Sequence, residues 1–533
     1  MTTDSGTGSG RIAAVFVWLG AFWFSLVTLV FLNDHFGRIS PARQIALLGE
    51  LPFRDYFDPG YFLTELSTAA LMRVLGDNLL GEVLLTTTFI ATGTLLVFLL
   101  TRRLTGSVVA SLASAALALA LLPRAYDYDK VLFYPLGLML CWRYADRPVT
   151  SRLWACAAGL VVAALFRYDN GVFLGAAMVV TIAAAHAGEW GLAARRIGGL
   201  VVAVACLALP VLVFIQFQIG LTDAIDQMIT YGRRETARTQ LSAQRFVFDS
   251  LQGLVSTNNA DVFLFYLVRL MPLAGALVVV LDLRSRRASR ERMAQLAGLV
   301  TLCVCLNVFI LRDPIGARLG GMAGPIAVLT VWIAHRAWSA WGPARLAVVA
   351  VLALTVSSAF VSADWKGRVS ADMVRPSQLV RAIETWAASP PPFDAIPNFA
   401  IKGLVRYVRE CTAPTDRLFA TWFVPDLYFY AQRGFAGRIV ALFGSHWSEE
   451  RFQRRSVDAL ATQSVPIVIT RTGDERFRED YPLIASYLDD HYLLWGTSDF
   501  GDAEIGKGGY SVWTRTDRRA AETYATTTLP CFR

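Results

Sequence analysis

Asp34 is the residue best placed to act as a base. It follows the first apolar run (12–32) and opens a polar stretch, NDHFGRISPARQIALLGELPFRDYFDPGY (33–61), that also holds Glu50, Asp55 and Asp58 beside His35, Arg38, Arg43 and Arg54. A carboxylate at a membrane–water boundary stays ionised and can take a proton from an acceptor hydroxyl, a role worth ~10²–10⁴-fold. A lone acid at a span end is otherwise an ordinary solvent-facing charge. The crowded loop behind it, longer and more charged than a connector needs, argues for chemistry. Asp55 and Asp58 stand near Arg54, and Asp-Pro-Gly at 58–60 is equally good turn chemistry. Asp127 and Asp129 flank one tyrosine, with Lys130 next; their hard oxygens could hold a divalent cation such as Mg or Mn, or be interface charges. Asp169 lies between Arg167 and Asn170, where two apolar runs meet with almost no loop, and ionisable groups at that depth pair or line a water-filled cavity. Arg312 and Arg318 precede a glycine-rich helix start. Guanidinium forks bind phosphate bidentately, although Asp313 offers an internal ion pair instead. Arg54, Asp55, Asp58, Lys130, Asp169, Arg312 and Arg318 are thus candidates for binding substrate. The histidines lack metal-site spacing, and no serine or cysteine stands in a nucleophilic constellation.

The elements that must position these residues are membrane helices. Of 533 residues, 55% are hydrophobic and 17% charged, against roughly 25% charged in soluble domains. The mean hydropathy is +0.45. Apolar runs of about 20 residues match a hydrocarbon core of ~30 Å. Eleven spans are expected, near 12–32, 79–101, 106–123, 131–145, 152–166, 170–187, 197–219, 260–282, 293–311, 319–338 and 345–363. The runs are continuous, without the alternation of a barrel. The first is too long for a signal-peptide core, so it reads as an uncleaved span. The net charge of +8 reflects arginines at span ends and not a nucleic-acid surface, which would need a dense basic patch with interleaved aromatics.

Short-loop arginines set the orientation. Arg102, Arg103, Arg147, Arg152, Arg195, Arg196, the RSRRASRER loop at 284–292, Arg336 and Arg345 fall on one side, which the positive-inside rule makes cytoplasmic. The N-terminus is then cytoplasmic and the C-terminal tail extracytoplasmic. A transmembrane domain over 1–364 therefore carries a first outer loop at 33–78 and a long, amphipathic, arginine-rich outer loop at 220–259, suited to the membrane surface or a cavity mouth. YFLTELSTAALMRVLG (61–76) suits a helix lying on the surface. A linker with SPPPFDAIP occupies 365–400, and 401–533 alternates strand and helix signals, which argues a small α/β domain. Strands are expected at RLFATWF, RIVAL, VPIVITR, YLLWGTS and GYSVWTR, with a serine-capped helix at SEERFQRRSVDALATQ. Five of the seven cysteines fall in apolar runs and read as small buried residues. Whether Cys411 and Cys531 in the tail form a disulfide stays open.

An aspartate at the end of the first span, then ARQIALLGELPFRDYF, resembles the GT-C superfamily of integral-membrane glycosyltransferases, whose bacterial members include protein O-mannosyltransferases and lipid A aminoarabinose transferases. The resemblance is best over the first ~170 residues, where many members carry a "G-x-x-PYRDF" stretch, and extends to the plan of many spans with an extracytoplasmic C-terminal domain. It implies transfer of a sugar from a polyprenyl-phosphate donor to an acceptor hydroxyl on a glycan, glycolipid or protein, at the outer face of the plasma membrane. By position it makes Asp34 the catalytic aspartate, Asp127 and Asp129 a second-loop acidic motif used by some members for metal, and Arg318 a contact to lipid phosphate. His35 stands where mannosyltransferases keep a second acid, and the tail lacks a Trp-Trp-Asp-type motif, which argues against transfer to peptide asparagine.

A transporter or lipid flippase is the alternative; it predicts inverted repeats and broken helices at mid-membrane. A non-catalytic partner in an envelope assembly is the third reading.

Overall fold

The computed structural model describes residues 6–121, 125–240, 247–248, 256–284, 289–307, 316–340, 344–362, 375–392, 400–502, 509–524 and 528–533. Among the described residues, each of the eleven apolar stretches is helical over most of its length. In chain order the helices of the first two-thirds are α1 (Gly6–Thr28), α2 (Asn33–Leu48), α3 (Phe62–Leu75), α4 (Leu80–Thr105), α5 (Val108–Ala120), α6 (Tyr128–Asp146), α7 (Thr150–Phe166), α8 (Tyr168–Ala185), α9 (Trp190–Gln218), α10 (Leu221–Gln240), α11 (Thr257–Arg284), α12 (Arg290–Leu306), α13 (Gly316–Ala340) and α14 (Ala344–Ser362). Among the described residues, six (α1, α4, α8, α9, α11 and α14) are long and apolar enough to cross a membrane. The protein is a multi-pass membrane protein. α5, at 13 residues, and α7, at 17, are apolar but shorter.

The chain divides into two compact units, each assembled from separated segments. One comprises 1–30, 83–213 and 239–379; the other comprises 31–82, 214–238 and 380–533.

The first unit is the helical bundle. α6, α7 and α8 pack on one another, α12 lies against α6 and α8, and α13 lies against α5 and α6. Small residues let the backbones close up, as membrane helices require in the absence of a hydrophobic drive between them. A Cβ added to Gly298 of α12 would stand 2.1 Å from the Thr181 hydroxyl of α8, and one added to Gly93 of α4 would stand 2.2 Å from the Val131 carbonyl. The arginine-bearing loops gather at one end of this unit. Arg292 donates to the Arg103 carbonyl at 3.1 Å, Arg290 meets Glu189 at 3.2 Å, Arg196 donates to Thr150 at 3.2 Å, and Arg336 pairs with Asp282. That shared end is the pattern expected when one side of the membrane attracts the positive loops.

The second unit holds the α/β elements: α15 (Pro376–Ala387), α16 (Lys402–Cys411), β1 (Arg417–Ala420), α17 (Pro425–Ala431), β2 (Gly434–Phe435), α18 (Glu450–Thr462), β3 (Ile467–Arg471), α19 (Glu475–Asp480), α20 (Pro482–His491), β4 (Tyr492–Ser498), β5 (Tyr510–Arg515), β6 (Glu522–Thr523) and β7 (Pro530–Cys531). The five-stranded sheet runs β2-β1-β3-β5-β4, with β1 parallel to β2 and β3, and β5 antiparallel to β3 and β4. Cys411 and Cys531 form a disulfide across 120 residues of sequence. RIVAL is not a strand. The short pairing at Gly434–Phe435 takes its place, because Gly437 (φ 65°) and Arg438 (φ 63°) both turn left-handed and end the extended run. The helix expected to open on Ser448 starts at Glu450 without a side-chain cap; the Glu449 carboxylate beside it binds Arg234 at 2.9 Å.

α2 is part of this unit's core. Phe36 packs on Phe429 and Tyr430, with ring centroids 5.4 and 5.1 Å apart, and Ile39, Ala42 and Ile45 are buried on the same side. Ser40 donates to the Pro425 carbonyl at 2.7 Å, and the Phe435 amide donates to Gln44 at 2.6 Å. α10 belongs to the unit as well. Its polar face docks on α18 by ion pairs, Asp226 to Arg451 at 2.8 Å and Asp223 to Arg455 at 2.6 Å.

Candidate functional site

The candidate residues fall into two groups, one in each unit. In the second unit, Asp34 lies in the first turn of α2 and is exposed. Unpaired amide N–H groups at a helix start favour a negative charge there. The residue before it is fixed: the Asn33 side chain donates to the Phe423 carbonyl at 3.1 Å and accepts from the Asp426 amide at 3.3 Å. The residue after it, His35, is fully buried and meets Glu82 at 2.5 Å, and Thr68 donates to the other Glu82 oxygen at 2.5 Å. Asp34 is thus an exposed acid flanked on both sides by anchored neighbours, which limits the motion of its backbone.

Behind it, Arg38 is buried with its guanidinium 4.4 Å from the centre of the Tyr61 ring. Its charge faces two buried carboxyls, Asp58 and Glu65. Glu65 accepts a 2.5 Å hydrogen bond from the Tyr56 hydroxyl. Burial, then the nearby Asp58 charge, holds the Glu65 carboxyl well above the usual range. Asp58 makes the turn that Asp-Pro-Gly predicts: one oxygen accepts from the Gly60 and Tyr61 amides at 2.7 and 2.8 Å. Burial pushes its carboxyl up to about 6, opposed by those two bonds and by Arg38. Arg54 and Asp55 pair with each other at 2.6 Å, and the same Asp55 oxygen accepts from the Leu51 amide at 2.8 Å. The Asp58 carboxyl is enclosed in the loop; Arg54 keeps part of its side chain in solvent.

In the first unit, the acids and bases of three connections meet. Asp127 ends a short 3₁₀ turn (Ala125–Asp127), Asp129 and Lys130 lie in the first turn of α6, Arg167 caps α8, and Asp169 and Asn170 follow in α8. Lys130 meets Asp127 at 2.9 Å, Arg167 lies 3.7 Å from Asp127 and 2.8 Å from Asp169, and Asn170 donates to Asp129 at 2.9 Å. Asp127, Asp129, Lys130 and Asn170 are buried. Buried charges are tolerated only when matched, and here two cations sit among three acids. α13 approaches this cluster: a Cβ on Gly321 would stand 3.1 Å from the Lys130 chain and 3.5 Å from an Asp127 oxygen. Arg318 stands three residues earlier on α13, one turn toward its start; its side chain, and Arg312 altogether, lie outside the described residues. No group of three or more His, Cys, Asp or Glu suited to a metal occurs among the described residues. Asp127 instead has Lys130 and Arg167 as its cationic neighbours.

Sequence reasoning missed Glu82, Glu65 and Thr68, the buried partners of the loop, and it did not link Arg167 to Asp127. Glu82 lies near the start of an apolar helix, and a lone acid there is the one signal that could have exposed it.

No protein-family model matches this chain, and no curated protein matches it in sequence. Solved structures do match. The crystal structure of ArnT from Cupriavidus metallidurans bound to undecaprenyl phosphate superposes with a TM-score of 0.51 at 13% identity, covering 95% of this chain and 98% of that one. The fold is GT-C-like. The crystal structure of the Archaeoglobus fulgidus oligosaccharyltransferase in complex with zinc and sulfate gives a TM-score of 0.46 at 13% identity, over 93% of this chain and 72% of that one. In this chain, the polar stretch after the first span is a helix and an ordered turn, and its Asp34 is held at the helix start.

Proposed function

We propose that this protein is a membrane glycosyltransferase that moves a sugar from a polyprenyl-phosphate donor to an acceptor hydroxyl at the extracytoplasmic face of the plasma membrane. The observation that carries the proposal is the GT-C-like fold over 95% of the chain, shared with a structure that held undecaprenyl phosphate. In the reaction the acceptor oxygen attacks the anomeric carbon and the bond from that carbon to the phosphate oxygen breaks. The lipid phosphate leaves with the electron pair, and the acceptor proton passes to Asp34 as general base. The leaving phosphate gains negative charge, which fixed cations stabilise in a water-poor site. We assign that charge to Arg312 and Arg318; Lys130 and Asp169 are assigned to binding substrate from the bundle's own buried cluster, in which Asp127 and Asp169 hold Lys130 and Arg167 in place. A divalent ion at Asp127 and Asp129 would compete with Lys130 and Arg167 for Asp127 and with Asn170 for Asp129. Arg54, Asp55 and Asp58 bind substrate indirectly, by shaping the loop behind Asp34.

The positive loops gathered at one end of the bundle support a cytoplasmic N-terminus, and the Cys411–Cys531 disulfide supports a C-terminal domain outside the cytoplasm, where disulfides persist. The test is Asp34→Asn in purified protein given a polyprenyl-phosphate sugar and an acceptor. The expected result is a loss of transfer of at least 100-fold with unchanged thermal unfolding. Full activity in the variant would remove Asp34 from the mechanism. Substrate movement across vesicle membranes without any lipid-linked sugar would favour a transporter instead.

A further inference from the structure

Far along α2 from Asp34, the second unit contains a cavity of about 340 Å³. Its walls come from the last turns of α2, from Asp77, from the chain entering β1 and from the segment joining α17 to β2. Arg43 and Asp77 form one wall: the Arg43 Nε lies 3.0 Å from both Asp77 oxygens, and a second guanidinium nitrogen lies 2.9 Å from one of them. Arg417 pairs with Glu50 and donates to the Phe435 carbonyl at 3.2 Å. Gln432 brings an amide to the same edge, 3.5 Å from Asp77. Leu47 and Leu48, 53% and 51% exposed, add an apolar strip.

The chemistry of this lining selects its ligand. The third guanidinium, Arg433, spends its N–H groups inside the protein, on the Thr412 hydroxyl and on the carbonyls of Ala431, Gln432, Arg409 and Thr412, at 2.7 to 3.2 Å. The other two are matched by carboxylates. An anion would therefore have to break an existing pair to gain a clamp, and a cation would have to do the same from the acid side. Planar ion pairs and an amide can instead offer their remaining donors and acceptors to neighbouring hydroxyls without losing their partners, and two leucines can cover the C–H face of a ring. A few convergent polar groups beside an apolar strip in ~300–1,000 Å³ are the ordinary make-up of a small-molecule site.

We propose that this cavity binds an uncharged sugar unit of an oligosaccharide acceptor, at a distance from the unit that reacts. At 1.5 Å per residue, Arg43 and Leu48 lie about 14 and 21 Å along the helix from Asp34. That distance excludes the reacting sugar and suits a preceding unit of a chain. The acceptor role rests on the glycosyl-transfer reading; the sugar binding does not. Remote contacts of this kind supply binding energy away from the reacting centre.

The experiment uses the purified full chain in nanodiscs and saturation-transfer NMR. The probes are mannotriose, maltotriose and cellotriose, with trigalacturonate and inorganic phosphate as charged competitors. Thr415→Trp, at an exposed position on the cavity rim, fills the space without touching the core. Leu48→Trp, from the exposed flank of α2, is an independent block should the first variant fold poorly. At least one neutral trisaccharide is expected to bind, with affinity falling at least tenfold in either variant and unchanged in Asp34→Asn. The proposal is overturned if none of the three binds, if binding persists in both blocked variants, or if only the charged probes displace the sugar. Sugar binding lost in the blocked variants, in a protein that transfers from no lipid donor, would sustain the subsite and sink the transferase reading. Transfer that depends on Asp34, in a protein whose cavity binds none of the three trisaccharides, would do the reverse.

Discussion

Replacing Asp58 by Asn should stabilise the protein above pH 6 and leave it unchanged near pH 4. Asp58 is completely buried, and one of its oxygens carries both turn bonds, while the other has no hydrogen-bond partner among the described residues. Burial lifts its carboxyl from an ordinary 3.8 to about 6. Between those values the folded chain keeps a proton that the unfolded chain has released. Stability therefore falls as pH rises through that window, and the loss is complete above it. Roughly two pH units at 1.36 kcal/mol each set the loss at about 3 kcal/mol, as an upper figure. Asparagine keeps the oxygen that accepts from Gly60 and Tyr61 and has no charge to bury, so the variant should gain about 1–3 kcal/mol at pH 8. Removing this charge also relieves Glu65, whose own carboxyl is raised in part by Asp58. Thermal unfolding of both proteins in one detergent, from pH 4 to pH 8 and followed by tryptophan fluorescence, measures the effect. A variant less stable than the parent at pH 8, or one with the same pH slope, would refute the reasoning.

The remaining predictions concern the disulfide and the metal. Replacing Cys411 and Cys531 together by serine reopens a loop of 120 residues and should cost about 2–5 kcal/mol, read as a lower unfolding temperature and as loss of the parent's sensitivity to reductant. Because Asp127 lies against Lys130 and Arg167, transfer should stay within about twofold in excess chelator, an effect below ~0.5 kcal/mol. A loss restored by Mg or Mn would return Asp127 and Asp129 to the role of metal ligands.

The helices were legible because continuous apolar runs leave a membrane chain no other way to satisfy its backbone. Among the described residues each run holds a helix, six of them long and apolar enough to cross a membrane, and the amphipathic pattern after residue 220 is the helix α10. The polar partnerships were harder to read. His35 and Glu82 are 47 residues apart, and Arg167 and Asp127 are 40 apart, so nothing local in the sequence ties one to the other. The sequence marked two separate groups, Asp127, Asp129 and Lys130 in one and Arg167, Asp169 and Asn170 in the other; the packing of α6 and α8 makes them one cluster. RIVAL has strand composition, but left-handed Gly437 just ahead of it and left-handed Arg438 at its first position override that preference. The cavity beside Arg43 draws on four stretches of chain, and none of them carries a motif.

The central claim is that a lipid carrier gives up its sugar on this protein. Purified protein should be incubated with a panel of polyprenyl-phosphate monosaccharides, with and without glycan acceptors, and the release of free polyprenyl phosphate followed by mass spectrometry. The account predicts release from at least one donor, accelerated by an acceptor and lost in Asp34→Asn. No release from any donor, or equal release by the parent and Asp34→Asn, would contradict it.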